Sequence, residues 1–478
     1  MRNPIKHQRN PEAVLQSVLE LLKKSEVIDV LASNQEMPRQ DLVQALIKRQ
    51  NITALQQRLN SLHPADVAFV LESLPLEPRQ IIWDLLKVEH AGAILLEVSD
   101  AVRENLIADM TSSELVGVAR HLDSDDIAEL VTDLPKDVVL EVLNTLDSES
   151  RLDVQSMLAF PEDSVGALME YDLITVREDI SLDVVLRYLR RQKDHLDNTE
   201  QIFVVNREGT LSGSLALKDL LFYDPEELVI EVMNQDPFFF YTDDDAKEAA
   251  SAFERYDLIT APVVNNHKQL VGRLTIDAML DFTKETAQKE LFNQAGLNEE
   301  EDLFSSIYKS AKNRWAWLAI NLITAFIASR VIGAFEGTIE KLVALAALMP
   351  IIAGIGGNSG NQIVTLIIRG LALKQIHTEN IWYLLRKELS IAIINGLLWG
   401  AVMGVIAMLV YKQIPLGIVM MAAMTLNLVV AALVGVFVPL IIYKLGHDPV
   451  FGSNVILTAL TDSMGFFIFL GLASVFLL

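Results

Sequence analysis

Residues 342–368 read LVALAALMPIIAGIGGNSGNQIVTLII, a run of 27 positions without a formal charge. A helix needs roughly 20 apolar residues to cross a bilayer, so the run is long enough to span one. Its middle is unlike a lipid-facing helix. Gly354-Ile-Gly-Gly-Asn-Ser-Gly-Asn-Gln362 gathers glycines and amides behind Pro350. Gly356 and Gly360 form a GxxxG pair, and small residues at that spacing let helices approach closely. Packing accounts for the glycines but not for Asn358, Ser359, Asn361 and Gln362 at membrane depth. Polar side chains and irregular backbone are tolerated there when they line a cavity. The segment around Gly357 is therefore read as a cavity lining, with close packing as the plainer alternative.

Working outward, four more stretches have the same character. Trp315–Ser329 is uncharged and continues past Arg330 to about Phe335. Leu389–Tyr411 and Gln413–Tyr443 carry no charge, and Val450–Leu478 carries one, Asp462. Five spans are expected. With Lys309, Lys312 and Arg314 inside, the inner segments also hold Arg369, Lys374, Arg386, Lys387 and Lys444. The outer ones hold Arg330, Lys341 and Lys412. This bias predicts a cytoplasmic N-terminus. Asp462 lies about midway along the last span, where a carboxylate costs roughly 2.5–3.5 kcal/mol on insertion scales. A watery path or a cation offsets that cost. A protonated Asp in an interhelical hydrogen bond, or a later-starting span, would also tolerate it.

The whole chain has 478 residues, 51% of them hydrophobic, with a net charge of −24. Of its 63 acidic and 39 basic residues, only Glu336, Glu340, Glu379, Glu388, Asp448, Asp462 and eight Lys/Arg fall in 315–478. The first two-thirds is thus a strongly acidic soluble region. Such a region repels phosphate backbones, which argues against nucleic acid. The absence of cysteine removes disulfides, thiolate catalysis and Cys-zinc sites. The opening MRNPIKHQRNPEAV has no apolar core of a signal peptide. No GxxxxGK[ST] loop is present, so a primary ATP-driven pump, or any enzyme of that kind, is not expected.

Oxygen donors without sulfur or imidazole suit hard cations such as Mg2+, which gives up its water reluctantly. One Asp per chain is little charge for a dication. Two copies about a pore axis would supply two.

In the soluble part, residues 12–150 read as short amphipathic helices with turns at Leu62-His-Pro, Leu74-Pro-Leu and Leu134-Pro-Lys. A loosely repeating helical array is expected. Asp125 and Glu129 share a helix face at i,i+4 spacing, as a solvated face or a cation site. Residues 173–283 contain a clearer repeat. QIFVVNREGTLSGSLALKDLL in the first copy answers TAPVVNNHKQLVGRLTIDAML in the second. Val204 and Val205 match Val263 and Val264, and Gly213 matches Gly272. Each copy runs extended segment, helix, strand, turn, strand, helix. Asp243, Asp244 and Asp245 gather a cation or start the helix that follows, since acids favour a helix N-terminus.

This repeat resembles a tandem pair of CBS domains, a module that often takes a nucleotide such as ATP. Its nucleotide cue is incomplete in both copies. Gly213, Ala216 and Asp219 lack the hydroxyl, and Gly272, Thr275 and Ala278 lack the acid, although Asp277 is adjacent. Taken whole, the chain resembles the MgtE family of magnesium channels and transporters. Gly356-Gly-Asn-Ser-Gly-Asn-Gln362 and Ser453-Asn-Val-Ile-Leu-Thr-Ala-Leu-Thr-Asp462-Ser-Met-Gly carry the resemblance. It implies a multidomain fold. A superhelical α-helical N-domain (1–155) precedes the α/β CBS pair (160–283), a connecting plug helix (284–310) and a five-helix membrane domain (311–478). It further implies a homodimer in the bacterial inner membrane, in contact with lipid. A central pore would hold hydrated Mg2+ at Asp462, with Asn454, Thr458 (through its carbonyl) and Asn358 nearby. Gly357, Ser359, Asn361 and Gln362 would line that pore. Cytosolic Mg2+ between acidic faces would close it, with Asp277, Asp281, Glu285 and Glu290 on the connecting helix as acidic candidates beside Asp125, Glu129, Asp243 and Asp245. Here Ala278, Lys284 and Lys289 interrupt the usual acidic run. Two other readings stay open: a transporter for Co2+, Mn2+ or Ni2+, and a membrane-anchored sensor.

Overall fold

The computed structural model describes residues 11–33, 52–191, 199–297, 301–377, 379–450 and 452–478. They form two compact units: Met1–Ala287 with Asp302–Phe304, and Gln288–Glu301 with Ser305–Leu478.

The first unit opens with short helices: α1 (Pro11–Ser33), α2 (Pro64–Glu72), α3 (Leu76–Trp83), α4 (Val88–Glu97), α5 (Asp100–Ala108), α6 (Ser112–Ala119), α7 (Ser124–Thr132), α8 (Lys136–Thr145) and α9 (Ser148–Met157). The expected turn prolines mark their starts. Pro64 occupies the first turn of α2 behind His63, and Pro75 and Pro135 precede α3 and α8. Proline fits there because the first helical N–H groups have no intrahelical partner. At α6, Thr111 and Glu114 form a capping box. Leu71, Ile82, Leu95, Leu106, Leu115 and Leu130 interlock into one core along the array. Arg79 is buried within it and donates to Leu71 O (2.9 Å) and to Asp302 Oδ2 (2.8 Å).

The CBS-like repeat follows. Its first copy comprises α10 (Val165–Leu168), β1 (Thr175–Arg177), α11 (Leu182–Leu189), β2 (Gln201–Val205), β3 (Leu211–Ala216) and α12 (Asp219–Phe222). The second comprises α13 (Val229–Val232), β4 (Phe240–Tyr241), α14 (Ala246–Tyr256), β5 (Thr260–Val264), β6 (Leu270–Thr275) and α15 (Ile276–Ala295). Each three-stranded sheet pairs its short first strand parallel and its last strand antiparallel to the middle one. The matched residues occupy equivalent registers: Val204 faces Gly213, and Val263 faces Gly272. A Cβ at Gly213 would lie 2.6 Å from Asn234 O, and one at Gly272 would lie 2.9 Å from Glu170 O. Both glycines therefore serve a close backbone approach. The helix expected from residue 284 starts at Ile276 and is continuous with the end of the repeat. It stops at Ala295, before Gly296 in a left-handed conformation (φ 71°).

The second unit contains α16 (Ile307–Gly333), a short α17 (Glu336–Lys341), α18 (Ala344–Ala372), α19 (Ile381–Tyr411), α20 (Ile414–Lys444) and α21 (Ser453–Phe476). Five of these are long and apolar enough to cross a membrane. α20 packs on α18, α19 and α21, and α16 packs along α21. Gly404 permits backbone contact between α19 and α20, since a Cβ there would sit 2.6 Å from Gly417 O. α19 begins eight residues before the uncharged run because Arg386, Lys387 and Glu388 continue the helix. Pro350 lies inside α18 without ending it.

Candidate functional site

The buried side of α18 carries Gly356, Gly360, Ile363, Val364 and Ile367. Its opposite side carries Asn358, Asn361 and Gln362, all exposed in the isolated chain, with Ser359 half-buried. Helical spacing separates the two sets, so the polar side chains project away from the bundle. On α21, Thr458 is exposed and Asp462 half-buried, whereas Leu457 and Thr461 are fully buried. Gly360 admits Leu457: a Cβ there would lie 2.6 Å from its Cδ1. A Cβ at Gly357 would lie 4.0 Å from Thr461 Oγ1. α18 and α21 thus meet along Gly357 and Gly360, and polar residues flank the seam on both helices.

Local hydrogen bonds hold the α21 groups. The Thr458 hydroxyl donates to Asn454 O at 2.8 Å, and the Thr461 hydroxyl to Leu457 O at 2.9 Å. Asn454 Nδ2 donates to Gln294 O at 3.4 Å, so the end of α15 touches the start of α21. The turn after α15 lies against Trp317 of α16. A Cβ on Gly296 would come within 2.1 Å of the indole. Glu301 pairs with Arg314 at 2.7 Å near the start of α16.

One residue in this unit escaped the sequence reading. Asn427, midway along α20, is 1% exposed. Its Nδ2 donates to Ile352 O at 2.9 Å, and its Oδ1 is buried without a partner among the described residues. The available signal was a lone asparagine inside the uncharged run 413–443.

Among the described residues, no three carboxylate or imidazole side chains are grouped to hold a metal. Asp125's side chain lies outside the described residues. Glu129 instead meets Arg103, an arginine the sequence reading did not single out. Arg103 Nη1 lies 2.9 Å from Glu129 Oε1 and 3.3 Å from Asp133 Oδ2, and Nη2 lies 3.4 Å from Asp100 Oδ1. Desolvation pushes the carboxyls of Glu129 and Asp133 above their ordinary values, and Glu285 on α15 adds to the rise. Asp281 and Glu290 share α15 with Glu285. Asp245 caps α14, accepting from Lys247 N (2.8 Å) and Glu248 N (3.1 Å). Asp244 Oδ2 accepts from Tyr241 N at 2.8 Å. The helix-start alternative for 243–245 is the one these hydrogen bonds realise. Asp243, beside them, lies just before this cap.

A cavity of about 440 Å³ opens in the CBS pair, lined by Thr199, Glu200, Ile259, Thr260, Thr275, Ile276 and Asp277. Gln201 Nε2 bridges the copies to Thr260 O at 2.8 Å. The Thr275 hydroxyl is already engaged, donating to Glu170 Oε1 at 2.7 Å.

Comparison with known proteins agrees with this layout. Residues 62–163 match the MgtE intracellular N domain, 165–226 and 229–285 match CBS domains, and 349–472 match MgtE, described as a divalent cation transporter. The chain is similar to the magnesium transporter MgtE of Thermus thermophilus, with 29% identity over 91% of this chain and 98% of that one. It is also similar to the magnesium transporter MgtE of Bacillus subtilis, with 24% identity over 90% and 96%. A solved cytosolic domain of the Mg2+ channel MgtE in complex with ATP aligns at 30% identity, covering 50% of this chain and 98% of that one, with a TM-score of 0.45. Helical domain, CBS pair and membrane domain occur here in one order along one chain, and the chain belongs to the MgtE family.

Proposed function

We propose that this chain moves Mg2+ into the cytoplasm across a bacterial inner membrane, through a wet path bordered by α18 and α21 of two copies. The observation that carries the reading is the polar face of a membrane-spanning helix pair. Asn358, Asn361, Gln362, Thr458 and Asp462 leave the bundle at positions where lipid would strand them. Polar groups at that depth face protein or water. A twofold partner covering this face would place two Asp462 carboxylates around one axis, matching a dication. Mg2+ would keep most of its waters, with Asn454, the Thr458 carbonyl and Asn358 accepting from that shell. Gly357 would leave room for it. Similarity to proteins named magnesium transporters supports Mg2+ as the cargo, and transport makes this protein a carrier of ions rather than an enzyme. The family description as a divalent cation transporter favours a second reading in which Co2+, Mn2+ or Ni2+ also pass.

Cytosolic Mg2+ would act on the first unit by bridging carboxylates that otherwise repel. Asp125, Glu129, Asp243, Asp245, Asp277, Asp281, Glu285 and Glu290 remain the candidates. The Gln294–Asn454 hydrogen bond supports a gate in which α15 reaches the start of α21. ATP enters as a ligand of the cavity beside Thr275, with Asp277 as an acceptor for its hydroxyls.

The test is divalent flux into proteoliposomes, wild type against Asp462→Asn, with Mg2+, Co2+, Mn2+ and Ni2+ offered separately. Loss of flux in Asp462→Asn at equal incorporation is expected. Undiminished Mg2+ flux in that variant would remove Asp462 from the path and the reading with it.

A further inference from the structure

Asn427 occupies a notch that two glycines create. A Cβ at Gly356 of α18 would lie 2.3 Å from Asn427 Nδ2, and one at Gly465 of α21 would lie 2.9 Å from the same atom. The carboxamide of α20 is therefore clasped between α18 and α21. Gly356 is two residues before Asn358, and Gly465 is three residues after Asp462. The clasp sits at the level of the polar face but behind it. One hydrogen bond, Nδ2 to Ile352 O at 2.9 Å, ties the amide to α18.

The group is poorly suited to a purely stabilising role. Its oxygen is buried with no partner among the described residues. An unpaired amide oxygen away from water carries a desolvation penalty that an apolar side chain of similar volume avoids. Leucine would pack against the neighbouring Met424 and Leu428, which are themselves buried. What leucine cannot do is hold α18 by its Ile352 carbonyl and keep a flat group between two glycine faces. From this geometry we infer that Asn427 is a positioning residue for the ion path. It fixes the separation and rotation of α18 against α21, and so the distance between Asn358 and Asp462 across the seam. The inference rests on the transport reading above. It adds a residue that touches no ion, on a helix that contributes nothing to the polar face.

The test uses the full chain in proteoliposomes and compares Asn427→Leu, Asn427→Ser and Gly356→Ala with wild type. Two quantities are read together: thermal stability in detergent and the Mg2+ concentration at half-maximal flux. Removing a group that orients metal-site residues typically weakens the site about 10–100-fold, so at least a roughly tenfold rise in half-saturating Mg2+ is expected for Asn427→Leu. Its melting temperature should stay equal to wild type or rise, because the unpaired oxygen is gone. Gly356→Ala pushes the amide from the opposite side without changing its chemistry and should raise the half-saturating concentration too. Should the leucine variant fail to fold, Asn427→Ser, which shortens the reach to Ile352, carries the same expectation. Unchanged half-saturation in the folded variants overturns the inference, and so does a fall in stability with unchanged half-saturation. A failed path reading is told apart by Asp462→Asn: if that variant still conducts, the path itself is misassigned.

Discussion

Replacing Arg103 by Met isolates the charge in the acidic cluster of the helical array while keeping most of the apolar stem in place. The Arg103 side chain is 6% exposed and meets Glu129, Asp133 and Asp100, whose side chains are 54%, 31% and 47% exposed. At 3–3.5 Å and an effective dielectric near 20, each pair is worth about 5 kcal/mol of gross attraction. Solvent around the half-exposed carboxylates and the desolvation of the guanidinium take back most of that, leaving about 1 kcal/mol per pair. Three pairs give a loss of about 2–3 kcal/mol, or roughly 4–6 °C for a unit of this size. The variant then leaves Glu129, Asp133 and Asp100 without the cation that neutralises them. Differential scanning fluorimetry of the purified chain in EDTA measures the loss. In EDTA the variant should melt below wild type. Identical melting in EDTA would refute the view that Arg103 neutralises this cluster.

Two further outcomes follow from the same unit. Asp302→Ala leaves the buried Arg79 guanidinium without its carboxylate and should cost about 3–5 kcal/mol. The double variant Arg79→Met with Asp302→Leu should recover most of that loss, and the order of the three melting temperatures checks it. Glu129 and Asp133 hold protons above their ordinary values of 4.5 and 3.8. The folded state therefore binds more protons than the unfolded one in that window, and stability should fall as pH rises through it. Melting curves from pH 4 to 7 test this, with Glu129→Gln expected to flatten the slope.

The architecture is legible where local chemistry decides it. Charge-free runs mark the spans, and the repeat registers follow from Val204 with Gly213 and Val263 with Gly272, because a sheet places matched residues at matched positions. The polar face was also visible, since Asn358, Asn361, Gln362 and Asp462 stand out against apolar neighbours. Arg103 was not, because only Asp100 stands at helical spacing from it, while Glu129 and Asp133 come from a separate segment that no local pattern joins to it. Asn427 carried only half a signal. The amide is plain in the run 413–443, but its meaning depends on Gly356 and Gly465, which reach it only after three helices assemble. α19 extends beyond its apolar stretch for a different reason: charged residues end an apolar run without ending a helix.

The Arg79–Asp302 pair has a consequence for synthesis. Its partners are 223 positions apart in the chain. At ribosomal rates of about 5–20 residues per second, the carboxylate emerges roughly 10–45 s after the guanidinium it neutralises. Until then the nascent array keeps a cation in its interior with no mate. The first apolar crossing begins at Ile307, only a few residues later. Completion of the helical array and delivery of the leading span to the insertion machinery therefore fall at nearly the same moment of translation.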